Sequence, residues 1–193
     1  MPHILAVVGH KRRKMDYHKE IRQSYLGGFS ILLIEAFFWI LAGILWNFVS
    51  FKVGILLIII SGTFFYPLSQ LLQIILKRPK IGKENPLNLL FTQIGLIIPF
   101  SFPLIFLLTK ENVNLFFPAL TIIIGVHYLP FVYAYKLKTY WILAPLLVVG
   151  GSLFGFILPE NIYYCAYYTG SILLLFAIIN HSLIKREINK TAH

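Results

Sequence analysis

The sequence predicts an all-α, polytopic integral membrane protein: a bundle of six transmembrane helices with both ends on the cytoplasmic side. Three observations carry that prediction. Of 193 residues, 58% are hydrophobic and 12% charged, against about 45–50% and about 25% in soluble domains. The mean hydropathy is +0.78, and a soluble chain of this size would expose more surface than so few charges can cover. The apolar residues also fall into windows of about 20, the helical length that crosses roughly 30 Å of hydrocarbon.

The basic segment 1–23 comes first and holds no spanning window. It is expected to lie along anionic lipid headgroups at the cytoplasmic face, where each Lys or Arg contributes about 1 kcal/mol. Ile4 to Val8 is too short for the apolar stretch of a signal peptide, and the basic cluster follows it instead of preceding it. Met15 is a second plausible start, so 1–14 read either as native or as an over-long start. The spanning domain occupies 24–185, with windows at 25–48, 53–76, 87–109, 113–135, 140–158 and 162–184, and 186–193 form a cytoplasmic tail. Apart from 77–86 the connections are short, which predicts antiparallel hairpins packed in sequence order. A β-barrel is excluded, because runs such as Val53 to Ile60 are apolar on every side instead of alternating.

Charge sets the orientation. With six spans, fifteen of the seventeen Lys and Arg residues fall on one side, and only Lys52 and Lys110 on the other. Positive residues stay cytoplasmic, so both termini are placed inside. The net charge of +10 does not imply nucleic acid, because no helix carries a basic stripe interleaved with aromatics. The lone Cys165 excludes an internal disulfide, a CxxC pair and a multi-thiolate metal site. No cofactor is expected, and the partners are the bilayer with its anionic headgroups, and a second copy or another membrane protein.

Three segments carry a resemblance: Lys83-Glu84-Asn85-Pro86-Leu87, Gly125-Val126-His127-Tyr128-Leu129-Pro130-Phe131, and Tyr140-Trp141-Ile142-Leu143-Ala144-Pro145. In this order the chain resembles DUF7010, small bacterial multi-spanning membrane proteins of unknown function. The resemblance implies a bacterial inner-membrane location. It implies no catalytic or binding residues.

Glu35 is the only acid within any window, near the middle of the first. At that depth an unpartnered carboxylate is expensive, so the side chain should face the bundle interior. It reads either as a proton or cation site or as a hydrogen-bonded structural acid. In the second window Thr63, Tyr66, Gln70, Gln73 and Lys77 recur at steps of three and four, which predicts one polar stripe. That stripe is either a wall of a hydrated cavity or a set of interhelical contacts. His127 and Tyr128 lie just before Pro130, where proline frees a backbone carbonyl one turn earlier. A relay between Glu35 and His127 requires the first and fourth spans to touch. Pro67, Pro99, Pro103 and Pro118 predict kinks, and Tyr163, Tyr164, Tyr167 and Tyr168 an interfacial belt. Asn180 and His181 are expected to need no special role.

Three functions remain open: a small transporter or permeation protein for a proton-coupled or cationic solute, a non-catalytic membrane partner or assembly subunit, and an intramembrane enzyme. The enzyme is the weakest, because the chain lacks nucleotide-binding, HExxH and GxSxG motifs and has few convergent acids.

Overall fold

The computed structural model describes residues 16–157 and 163–191. Residues 1–14, read as native or as an over-long start, and with them most of the predicted N-terminal segment lie outside the described residues. Among those described, the chain is helical and contains no strand.

Asp16 accepts hydrogen bonds from the amides of His18 and Lys19 and so caps α1 (Tyr17–Ser24), a short amphipathic helix. A bend at Leu26–Gly28 follows, with Leu26, Gly27 and Gly28 all at positive φ. Two consecutive glycines allow what a pair of larger side chains would resist. Then come α2 (Phe29–Phe48), α3 (Phe51–Ile75) capped by Ser50, and α4 (Leu87–Glu111). After a 3-10 turn at Val113–Leu115 the fourth window is divided into α5 (Phe116–His127) and α6 (Leu129–Tyr135). Pro130 causes that division: lacking an N–H, it cannot bond the Val126 carbonyl one turn back. Pro118 lies in the first turn of α5, where a missing N–H costs nothing, so the kink predicted there is absent. The chain closes with α7 (Tyr140–Phe156) and α8 (Tyr163–Thr191).

Among the described residues, five helical stretches are long and apolar enough to cross a membrane: Leu26–Phe48, Phe51–Ile75, Leu87–Glu111, Val113–Tyr135 and Tyr163–Lys190. The fifth predicted window instead gives α7, with 17 residues, or about 25 Å of helix. It nevertheless runs the length of α5: Gly125 sits against Ala144 and Val148, and Gly151 against Pro118 and Ile122.

Packing departs from sequence order. The most extensive contacts join α2 to α8, α5 to α7 and α2 to α3, whereas α3 and α4 share no substantial interface. Small residues explain these pairings. A Cβ on Gly170 would stand 3.0 Å from the Ala36 carbonyl, and one on Gly54 would stand 2.8 Å from that of Ala42. Close backbone approach is how helices gain contact in lipid, where burial alone provides little drive. The core gathers along α2, α5, α7 and α8, while α3 and α4 leave most of their surface uncovered.

Candidate functional site: a buried carboxyl at a broken helix

Glu35 points into the bundle. It is 8% exposed and lies between buried Leu32 and Trp39 on α2. Tyr128, 1% exposed, donates its hydroxyl to Glu35 Oε2 at 2.5 Å. The break between α5 and α6 sets Tyr128 at a junction where the regular ladder is interrupted. Burying a carboxyl without a hydrogen bond costs several kcal/mol, so this donor is what makes the position tolerable.

His127 occupies the same junction but takes another direction. Its ring meets Tyr128 and Phe131, each with centroids 5.5 Å away, and the backbone of Ile94 on α4. Its Nδ1 is buried without a partner. Glu35 is therefore joined to the fourth span through Tyr128, and no hydrogen bond links it to His127 among the described residues. The indole Nε1 of Trp39, one turn beyond Glu35, is likewise buried and unpartnered.

The polar stripe of α3 does not form a single interior wall. The helix packs on α2 with Gly54 against Ala42 and Trp46, and it buries Ile58, Ser61 and Ser69; at 100° per residue Thr63 points about 200° away from Ser61. Thr63 and Tyr66 are exposed, and Thr63 returns its hydroxyl to the Ile60 carbonyl. Gln70 is half-buried and bonds the Tyr25 hydroxyl at 3.2 Å, while Gln73 is buried with its amide nitrogen unpaired. Of the stripe, Gln70 thus reaches Tyr25 beside the α1–α2 bend, Gln73 is buried, and Thr63, Tyr66 and Lys77 face outward.

Between Glu35 and the basic end lies a layer that the sequence reading passed over. Rings of Tyr128, Phe131, Tyr135 and Tyr140 pack with centroids 5.6–5.8 Å apart. Below them the Gly27 carbonyl accepts from Tyr140 Oη at 2.9 Å and from Asn180 Nδ2 at 3.0 Å. Thr139 donates to Asn180 Oδ1 at 2.7 Å. Asn180, expected to need no role, is fully buried and holds the bend closed. The signal available was Gly27-Gly28 next to a span, which marks a bend whose freed carbonyl needs donors.

Among the described residues, no group of three His, Cys, Asp or Glu could hold a metal ion. A surface groove along α7, lined by Val148, Ser152, Leu153 and Phe156, contains none of the candidate residues. No curated protein and no solved structure matches the chain. The family comparison does: residues 15–182, carrying Glu35, the α5–α6 break and the Gly27 bend, match a family described as of unknown function. The chain belongs to the family DUF7010.

Proposed function

We propose that the protein is a six-span protein of the bacterial cytoplasmic membrane with both termini inside, and that it is a small transporter or permeation protein for a proton-coupled or cationic solute. Glu35 is the titrating group in this reading. The observation that carries it is the Tyr128–Glu35 hydrogen bond at a broken helix. Interrupted helices with an acid at the break are how membrane proteins present an ion site at mid-depth. Tyr128 holds the occluded state, and His127, Gln70 and Gln73 flank the parts that would move to admit water, whereas Thr63 and Tyr66 face away.

The test is flux. In proteoliposomes with an imposed pH gradient, the parent protein should carry protons or a cationic solute, and Glu35→Gln should lose that flux while keeping its fold. Equal flux in the two proteins would overturn the reading.

A second reading rests on a different observation. Only 17% of the α3 spanning window and 11% of the α4 window are buried. Those uncovered faces favour a non-catalytic assembly subunit whose polar residues hold helices together. Co-purification of a stoichiometric membrane partner, with no flux from the parent protein, would select it.

A further inference from the structure

At the basic end, beside the α1–α2 bend, two cationic side chains and a histidine ring converge from two elements. Arg78, just beyond α3, donates Nε and Nη2 to the Gln23 carbonyl at 3.2 and 2.8 Å. His181 on α8 packs edge-on against Phe29, with centroids 4.5 Å apart. Lys185 lies one turn further along α8, and the charges of Arg78 and Lys185 both act on the His181 ring. The bend fixes this arrangement, because Gly27 is seated against Asn180 and Ile184 of the same helix. Partial burial of the Arg78 guanidinium lowers its pKa, so its charge is incompletely solvated.

The acids near this end are engaged elsewhere. Asp16 caps α1, Glu20 accepts from the Gly82 amide and Asn85 Nδ2, and Glu187 pairs with Arg22 at 2.6 Å. Glu84 lies against Gly82. Among the described residues, no salt bridge reaches Arg78 or Lys185, and 1–15 contain no Asp or Glu. Among the described residues Arg78 and Lys185 therefore have no acidic partner beside His181, whose Nδ1 is buried without a hydrogen-bond partner, and Ile178, one turn before His181 on the same face, is exposed and apolar.

We propose that Arg78, His181 and Lys185 form a binding site for a phosphate group, presented by an anionic lipid headgroup or free in solution. Guanidinium, imidazole and ammonium donors suit phosphate oxygens. The site is separate from Glu35 and independent of any transport.

The test uses the full chain in nanodiscs of phosphatidylcholine doped with phosphatidylglycerol, with retained lipid read by native mass spectrometry. A parallel arm titrates inorganic phosphate in pure phosphatidylcholine and follows thermal unfolding. Retention should fall about fivefold in Lys185→Gln and further in the double variant His181→Gln/Lys185→Gln. Lys190→Gln should match the parent. Arg78→Gln also releases Gln23, so the α8 variants carry the decision. Phosphatidylglycerol retention without a response to inorganic phosphate assigns the site to lipid. A saturable phosphate response lost in the α8 variants assigns it to a soluble phosphate. Equal losses in Lys185→Gln and Lys190→Gln, or no binding in either arm, would overturn the proposal.

Discussion

The Tyr140 hydroxyl bonds the Gly27 carbonyl at 2.9 Å, and the same oxygen stands where a side chain on Gly28 would have to go. Gly28 also has φ 87°. Gly28→Ala therefore meets both a backbone penalty of about 1–2 kcal/mol and a steric one. Thermal unfolding in detergent should show a loss of at least about 2 kcal/mol. In a Tyr140→Phe background the added loss should be smaller, because the obstructing oxygen is gone. Equal losses in both backgrounds would place the clash elsewhere.

Tyr128→Phe keeps the ring in its aromatic layer and removes the donor to Glu35. The buried carboxyl then lacks its partner, at a cost of about 1–3 kcal/mol. With Glu35→Gln already present, the same change should cost less, and a double-mutant cycle should give a coupling near the membrane range of about 0.6–1.7 kcal/mol. Additive effects would mean that the hydrogen bond contributes nothing to stability.

The cap of α1 should be acid-sensitive. The backbone amide of Lys19 first, then the charge of Lys136 and the amide of His18, hold the Asp16 carboxyl below its usual value of 3.8 despite slight desolvation. A pKa lower in the folded state means the carboxylate stabilises α1 fully above about pH 4, and that contribution disappears as pH falls through the depressed value. Hydrogen exchange at the α1 amides should accelerate in that acid window for the parent protein. Asp16→Ala should show faster exchange at neutral pH and no such acid-dependent step, with a cost of about 1 kcal/mol or less at this exposed cap.

Topology can be read with a single thiol. Cys165 is fully buried and packs on Thr121, so Cys165→Ser provides a blank background. Lys110→Cys should react with an impermeant maleimide from outside intact cells, and Lys80→Cys only after permeabilisation. Labelling of both from one side would exclude six spans with the termini inside.

How much of the site was legible in the sequence differs from residue to residue. Glu35 announced itself because a carboxyl in hydrocarbon must find a partner, and it turned inward as expected. The partner could not be named: Tyr128 lies 93 residues away, and its neighbour His127 was an equally reasonable choice until the α5–α6 break fixed which ring points to α2. Thr63 and Gln73 share one stripe by spacing, yet they separated because spacing gives relative angle and not which side of α3 meets α2.

Composition and window length alone determined that this chain is a bundle of apolar helices, because hydrocarbon admits no unpaired backbone and helices satisfy it locally. Neighbour choice is another matter. That α2 seats against α8, that α3 and α4 stand apart, and that Tyr140 and Asn180 meet over Gly27 were decided by tertiary packing. Lipid is as apolar as leucine, so hydrophobicity cannot select a partner helix, and close-fitting small residues and a few buried hydrogen bonds must.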